Sequence, residues 1–482
     1  MFTILFEKEL KAIFLSPKFF ATFGVCSLLI LLSVFVGIQE YENEIEQYET
    51  AIRLAEQQIM QEDSWWGINN VVFRKPAAMQ IFVSGVNNDI GRSSQISTWV
   101  EPKLESSNYA DDTLFAVFRF IDLTFIVQVV LSLFAILFTY DSINGERESG
   151  TLKLALSNAV PRGQYVLAKF AGSWVGLTLP LMIPILIGVL LVMVLGIPME
   201  SGDWARLGTL IGSSILYFTF FITFGLFVSA MTKRSSVSFL ILLVAWVALV
   251  LIVPRAATMA AGQIVPVTSV AEIESQKDRF RTDRWNSYRV VRREMREERE
   301  SSMVGMSREE RQQYQQANQQ VWQEAETTAR QTIEEEISEF SRKVDEDLRN
   351  QKVSQEKMAF TLSRFSPASA YKLTAMQMAN TGTELKTSYE DAMKAYRTNF
   401  TQFVESKREE ERAKNAGRGG FGRRNNDEQE PLDLNELPRF EAPKQTFAEA
   451  IAPSIIDFGL LSFFSLAAFV GAFLSFVKYD VR

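Results

Sequence analysis

Six stretches of the chain contain no charged residue and are mostly apolar. Each is 18 to 30 residues long, which is enough for a helix to cross the hydrocarbon core of a bilayer, roughly 30 Å thick. The charges all lie in the remaining segments. This alternation predicts an all-α polytopic membrane protein with six transmembrane helices and rules out a soluble enzyme. The six stretches are Phe19–Gln39, Leu123–Tyr140, Phe170–Met199, Leu207–Thr232, Ser235–Pro254 and Phe458–Val477.

The spans divide the chain into alternating inside and outside segments. We assign span 1 to 19–39, span 2 to 119–140, spans 3 to 5 to 170–254 and span 6 to 452–477. Lys and Arg are enriched in short cytoplasmic loops. With the N-terminus inside, the cytoplasmic segments carry a net charge of +5 and the outside segments −12. We therefore expect a multi-pass protein of the plasma (inner) membrane with both termini cytoplasmic and no cleavable signal peptide.

Two segments next to span 1 have helical periodicity. Residues 1–18 place most of their apolar side chains on one face, which predicts a cytoplasmic elbow helix at the membrane surface. The first extracytoplasmic segment, 40–118, opens with apolar residues spaced alternately four and three apart. That spacing predicts a rigid helix that continues out of span 1 and packs on a partner helix. The stripe is Tyr41, Ile45, Tyr48, Ile52, Ala55 and Ile59.

A second outside segment, 255–407, is predicted to be a long helical extracytoplasmic domain. Ser307 and Glu310 have the spacing of a capping box, and an apolar stripe follows over 314–348. Two long helices joined at Gly305 suggest an antiparallel stalk. It could act as a lever or docking surface for an extracytoplasmic protein partner, or it could have no specific role.

Low-complexity composition predicts that 408–445 is a disordered linker. Its Arg-Gly stretch is interpreted as part of a tether, so no nucleic-acid partner is expected. Gly417 and Gly422 have half the spacing of a phosphate loop, but Arg423 and Arg424 stand where Lys and Ser/Thr are required. We predict no cofactor in this chain.

Composition removes most catalytic chemistry. The chain has no histidine and one cysteine, Cys26, so a Ser-His-Asp triad and a histidine-ligated zinc site are excluded. Asp122 and Asp457 lie at the outer ends of their spans, where solvent is expected to reach them. Since no ionisable group lies in mid-membrane, an ion-coupled transporter is disfavoured. The glycine pairs Gly172/Gly176 and Gly208/Gly212 are expected to support helix packing inside one protomer.

The cytoplasmic loop 141–169 is the one inside segment long enough to engage a partner. Gly150 provides a bend, and Thr151 can open a short helix over 152–157 with leucines at every second position. Glu146 and Glu148 form a charged rim just below the membrane. The residues alone therefore predict a short amphipathic helix at the cytoplasmic face.

This loop resembles that of a known family. Glu146-Arg147-Glu148-x-Gly150-Thr151-Leu152, then Leu156-Ser157, Arg162 and Lys169, is similar to the loop between spans 2 and 3 of type-2 ABC exporter permeases. In that family the loop contacts a separate ATPase subunit, which would bind ATP and Mg. The resemblance implies that six residues position or form an ATPase-docking surface: Glu146, Glu148, Gly150, Thr151, Leu152 and Arg162. It also implies a dimer with a second copy or a related permease.

A second similarity lies in the outside segment. The residues 366–371 (Ser-Pro-Ala-Ser-Ala-Tyr) and 379–382 (Ala-Asn-Thr-Gly), with the tail 478–482, resemble a subgroup having large extracytoplasmic insertions. That subgroup includes permeases for multicopper-enzyme maturation. Without histidine, this chain could offer copper only methionine thioethers such as those of Met376 and Met378. These two residues are equally well explained as core residues.

Two functions remain open from the sequence. The first is the permease subunit of an ATP-driven exporter. The alternative is a non-transporting membrane scaffold that presents a helical ectodomain to a partner. A membrane-embedded enzyme is disfavoured because the spans lack candidate catalytic groups.

The predicted topology can be tested by thiol labelling. Single cysteines placed at Gln316 and Gly163 should react oppositely with a membrane-impermeant reagent in intact cells. Gln316 should be labelled, and Gly163 should be labelled only after permeabilisation. Labelling at Gly163 in intact cells would overturn the orientation.

Overall fold

The computed structural model describes residues 1–62, 65, 68–97, 102–107, 121–157, 160–416 and 436–478. The chain divides into two compact units, one formed by Met1–Pro254 with Arg364–Arg482 and the other by Arg255–Ser363. The predicted extracytoplasmic domain 255–407 is therefore not one unit, because its last part, from Arg364 on, belongs with the membrane-spanning helices.

Span 1 and the heptad stripe lie in a single helix. Helix α1 covers Phe2–Phe14, and α2 runs without a break over Pro17–Met60. Ser16 begins α2 as its N-cap, since its hydroxyl accepts from the Phe19 amide at 3.2 Å. In the heptad stripe, Tyr41, Ala55 and Ile59 are buried.

Six helices of the described residues are long and apolar enough to cross a membrane, as predicted. After α2, the remaining spans are α3 (Leu123–Phe125, Ile126–Leu131, Ser132–Thr139), α6 (Arg162–Val194), α7 (Ser201–Met231), α8 (Ser235–Trp246, Val247–Ile252, Val253–Ile264) and α13 (Phe447–Val477). Helices α3 and α8 each contain a π-helical segment, Ile126–Leu131 and Val247–Ile252. The helix of span 2 starts at Leu123, and residues 119–120 of the assigned span lie outside the described residues.

The elbow helix α1 packs on α6 through small residues. A Cβ added at Gly172 would lie 2.5 Å from the Glu9 Cβ, and one at Gly176 would lie 3.0 Å from the Ile13 Cδ1. Close packing inside one protomer is thus confirmed for this pair. The prediction is wrong for Gly208 and Gly212, which have nothing within 4 Å of an added Cβ.

A small mixed cap surrounds the end of α2. Strands β1 (Asn70–Phe73) and β2 (Ser93–Ile96) pair antiparallel, with Asn70 opposite Ile96. The heptad stripe therefore packs on more than a partner helix. Ile59 shares an apolar cluster with strand residues and with α12, the helix Glu384–Ala416; its buried members are Trp65, Ile68, Val72, Ile96, Met393, Tyr396, Phe400 and Val404.

Part of the predicted disordered linker is ordered. Residues 408–416 continue α12, and the Arg408 Nε donates to the Trp65 carbonyl at 2.9 Å. Phe440 packs against Tyr389 and Tyr396. These aromatic contacts fix 436–446, although the composition suggested a tether. Residues 417–435 of the linker lie outside the described residues.

The second unit contains an antiparallel helical hairpin, as predicted. Helices α9 (Val270–Ser301) and α10 (Arg308–Ser363) are joined by a turn in which Gly305 has φ +90°. The capping box is confirmed. The Ser307 amide donates to Glu310 Oε2 at 2.7 Å, the Glu310 amide donates to Ser307 Oγ at 3.3 Å, and these bonds lower the pKa of Glu310.

Complementary charges align the hairpin. The middle of α9 is rich in Arg residues, and the facing part of α10 is rich in carboxylates. Lys277 pairs with Asp345 at 2.6 Å and Arg292 with Glu326 at 2.7 Å. Between α9 and α10 near these pairs, two phenylalanine rings stack with centroids 4.0 Å apart. Burial lowers the pKa of Lys277, but the Asp345 carboxylate outweighs it and the net shift is upward.

The predicted apolar stripe of α10 is buried along only part of its length. Val344 is buried, but Val321 is 60% exposed and Ala317 and Ala325 are exposed. Trp322 faces α9 in their place, with the Arg299 guanidinium 4.5 Å above its ring. Most residues of the predicted stripe are four apart, and four residues turn a helix by about 400°. The stripe therefore rotates away from the contact with α9 over several turns.

The stripe generates a paired prediction. Phe340→Ala removes a half-buried ring stacked on Phe280 and should destabilise the hairpin by about 1–3 kcal/mol. Val321→Ala alters an exposed side chain and should change stability by less than about 0.5 kcal/mol. Amide hydrogen exchange across α9 and α10 measures both. Equal effects would mean that the two positions are equally buried.

Candidate functional site

The loop 141–169 contains two short helices and the first residues of α6, which starts at Arg162. Helix α4 covers Asn144–Glu148 and α5 covers Thr151–Ser157. Gly150, between them, has φ +76°, a conformation that side chains with a Cβ rarely adopt, so the predicted bend is confirmed. The Thr151 hydroxyl donates to the Glu146 carbonyl at 3.2 Å and lies 2.9 Å from the Ser149 hydroxyl. These bonds fix α5 against α4.

The leucines of α5 point in different directions. Leu152 is 2% exposed and belongs to the main apolar core, whereas Leu154 is 67% exposed. Residues two apart on a helix lie about 200° apart around its axis, so one can anchor the helix while the other faces outward. Leu152 can therefore position a docking surface but cannot form it. Leu154, which was absent from the predicted set, is the exposed apolar residue.

Glu146 lies in a network of ion pairs and hydrogen bonds. Its carboxylate accepts from the Tyr165 hydroxyl at 2.7 Å, the Lys169 ammonium at 2.8 Å and the Lys8 ammonium at 2.7 Å. Tyr165 and Lys169 belong to α6, and Lys8 belongs to the elbow helix. This single carboxylate therefore joins the loop to two other elements.

Lys169 is the buried centre of that network. It is 4% exposed and lies 2.7 Å from the Glu9 carboxylate as well as 2.8 Å from that of Glu146. With the half-exposed Lys8, two ammonium groups meet two carboxylates, so the charges of the cluster balance. A buried ion leaves water at a cost that only good pairing offsets, and this cluster meets that requirement.

The sequence contained a signal for this network that the prediction missed. Glu9 lies among the apolar residues of α1, one helical turn from Phe6 and from Ile13. A carboxylate in the middle of an apolar face needs a cation from another element. The periodicity alone does not identify Lys169 as that cation.

Glu148 and Asn144 attach the loop to the turn between α7 and α8. Glu148 accepts from the amide of Ser235 at 2.8 Å and from its hydroxyl at 2.9 Å, at the first residue of α8. A carboxylate at a helix N-terminus is favourable because the unpaired amides point towards it. The buried Asn144 side chain donates to the Thr232 hydroxyl at 2.9 Å. The predicted charged rim is therefore also an attachment.

Arg162 connects the other end of the loop to span 6. It is the first residue of α6, and its guanidinium donates to the Val477 carbonyl at the end of α13. A cation there offsets the partial negative charge of the helix C-terminus. Glu146, Glu148 and Arg162 each hold the loop to a different part of the bundle.

The loop is held to several helices of the bundle. The loop is attached to α1, α6, α8 and α13, and α5 presents Thr151, Lys153 and Leu154 on its exposed side. Within the described residues, no group of three or more His, Cys, Asp or Glu side chains could hold a metal ion. A displacement imposed on α5 would reach several spans together.

The family of the chain follows from its whole length. The family model described as ABC-2 family transporter protein matches residues 3–480, and the chain belongs to this family. No curated protein matches it. The protein is thus a multi-pass membrane component of an ABC transporter. Such components generally lack a nucleotide-binding domain of their own and pair with an ABC ATPase subunit.

The buried network generates a stability prediction. Lys169→Met leaves Glu9 and Glu146 close together without their shared cation and should cost about 3–5 kcal/mol. Lys8→Met removes an ion pair whose lysine is half exposed and should cost no more than about 1 kcal/mol. Thermal unfolding of the purified full-length protein distinguishes the two. Similar unfolding midpoints for the two variants would contradict a central role of Lys169 in the network.

Proposed function

We propose that this chain is the permease subunit of an ATP-driven exporter and that a separate ATPase subunit docks on the exposed side of α4 and α5. ATP and Mg bind to that partner. The docking surface consists of Glu148, Thr151, Lys153 and Leu154. Glu146, Gly150, Leu152 and Arg162 hold this surface in place.

The proposal rests on the different exposure of two leucines in α5. Leu152 is buried against the bundle while Leu154 projects outward beside Lys153. An apolar centre surrounded by polar side chains is the arrangement found in protein–protein interfaces.

The mechanism follows from the attachments of the loop. Closure of the ATPase would push on α5, and the Glu146–Lys169 contact would carry the push into α6 and α1. Glu148 would carry it into α8 through Ser235. Because each link is charged or hydrogen-bonded, it resists sliding better than a purely apolar contact, which has no preferred direction.

The remaining assignments complete the proposal. Both termini are cytoplasmic, 40–118 and 255–407 are extracytoplasmic, and the protein lies in the plasma (inner) membrane. It acts as a dimer with a second copy or a related permease. The chain itself holds no cofactor, and its hairpin α9–α10 contacts an extracytoplasmic protein partner.

The subgroup with large extracytoplasmic insertions is the proposed closer relationship. The presence of a separate compact unit, Arg255–Ser363, supports this relationship. The link to multicopper enzymes receives less support, since Met376 and Met378 are buried in the main apolar core. Packing is a sufficient role for both thioethers.

Two leucines of one helix test the docking surface. Leu154→Asp adds a charge to an exposed position, so folding should be retained while co-purification with the ATPase falls by at least about tenfold, as expected for a central contact residue. Leu152→Ala should instead lower stability by about 2–5 kcal/mol, through a core cavity. Co-purification of the tagged full-length chain and thermal unfolding are the measurements.

Lys153→Ala serves as a partial control and should weaken binding modestly. Leu186→Ala serves as the matched control, because Leu186 is also an exposed leucine but lies within the predicted span 3, outside the loop. It should leave binding unchanged. Undiminished ATPase binding by the Leu154→Asp variant would refute docking at α5.

A further inference from the structure

The short connection 364–366 is held to two membrane-spanning helices. Helix α10 ends at Ser363, and helix α11 covers Pro367–Ala379. Between them, the side chains of Arg364 and Ser366 each contact a different span. The connection therefore has two separate attachments to the bundle.

The first attachment is a buried, bidentate ion pair. The Arg364 Nε donates to Asp457 Oδ1 at 2.7 Å, and its Nη2 donates to Oδ2 at 3.1 Å. Asp457 lies inside α13 and is 1% exposed. The expectation that solvent reaches Asp457 is wrong, because Arg364 covers it. Two parallel bonds fix the orientation of the guanidinium as well as its distance.

The second attachment uses a carbonyl of a π-helical segment. The Ser366 hydroxyl donates to the carbonyl of Leu249, within the Val247–Ile252 segment of α8. A π-helical turn disturbs the regular hydrogen-bond ladder, so a side chain can take up a displaced carbonyl. The same Ser366 oxygen accepts from the amides of Ala368 and Ser369, at 3.1 and 3.4 Å. One hydroxyl thus connects α8 to the start of α11.

Helix α11 is itself fixed in the bundle. Ala368, Ala370 and Ala375 are fully buried, and small side chains allow close helix approach. Tyr371 stacks on Tyr217 of α7 with ring centroids 4.9 Å apart. Its hydroxyl lies 3.1 Å from the Ser214 hydroxyl. The chain that follows α10 is consequently bound to α7, α8 and α13 together.

We propose that 364–366 is a joint through which displacement of α8 and α13 is passed to helix α10, with Arg364, Asp457 and Ser366 as positioning residues. The Arg364–Asp457 pair anchors the chain directly after α10, and the Ser366 hydroxyl prevents rotation about that anchor. This inference rests on the proposed function only in naming the partner ATPase as the source of the displacement.

The first experiment requires no ATPase. Arg364→Met combined with Asp457→Leu removes both charges, so no buried ion is left uncompensated and folding is retained. Amide hydrogen exchange of the full-length protein in nanodiscs should then become at least about tenfold faster over 364–379. Wild-type exchange in a folded double variant would overturn the joint.

Two further variants keep this experiment decisive. Lys277→Met with Asp345→Leu removes an ion pair of the hairpin and should leave exchange over 364–379 unchanged. Ser366→Ala adds neither charge nor bulk, and it should speed exchange in α11 even if the double variant does not fold. Unchanged exchange in the Ser366→Ala variant would show that Ser366 does not anchor the chain, and the proposed joint would be refuted.

The second experiment adds the ATPase and a non-hydrolysable ATP analogue. In the wild type, the analogue should alter exchange both at 144–157 and at 352–363, the end of α10. In the Arg364→Met/Asp457→Leu variant, the response at 144–157 should persist and that at 352–363 should be lost. A persistent response at 352–363 in this variant would overturn the joint. Absence of any wild-type response at 144–157 would refute the docking proposal, while the first experiment still decides the joint.

Discussion

The structure depends on the pairing of charges that have been taken out of water. Lys169 is almost fully buried, so it must keep Glu9 and Glu146 beside it. That requirement brings the elbow helix α1, the loop helix α4 and span α6 to one point. Gly172, one turn further along α6, lets α1 approach closely enough for the pairing to occur. Apolar burial could hold the same helices together, but it is non-directional, whereas these ion pairs define which side chains must meet.

The general architecture could be predicted from the sequence because the membrane imposes a one-dimensional signal. A charge-free run of sufficient length is a spanning helix whatever it packs against, and local chemistry placed the capping box at Ser307 and the bend at Gly150. Contacts between distant segments had no comparable signal. The strands β1 and β2, the order of 436–446 and the division of the chain at Arg364 all depend on partners far away in sequence.

The candidate site shows the same division. Its residue types and the short helix could be predicted from the sequence of the loop. Which side chains are buried and which are exposed could not. Leu152 and Leu154 are equally apolar in sequence, and only the attachment of α5 decides which is buried. Glu146 was assigned to a charged rim, yet its partners include Lys8, which lies 138 positions earlier. Helical periodicity cannot reveal such a pair, although Glu9 on an apolar face indicated that a buried cation was needed.

Ion pairs and polar bonds occur at both ends of the membrane-spanning bundle. Arg162 contacts the end of α13 at Val477, and Asp457 lies twenty residues earlier in that helix, about 30 Å away along its axis. Between these ends the contacts are mostly apolar and aromatic, such as Phe170 with Phe469. Helices packed in this way can slide or tilt at modest cost, while their charged ends cannot exchange partners without exposing a buried ion. In a bundle with directional contacts at its ends and non-directional contacts in its middle, the helices can move while their ends stay connected. The proposed coupling to a separate ATPase requires this mechanical property.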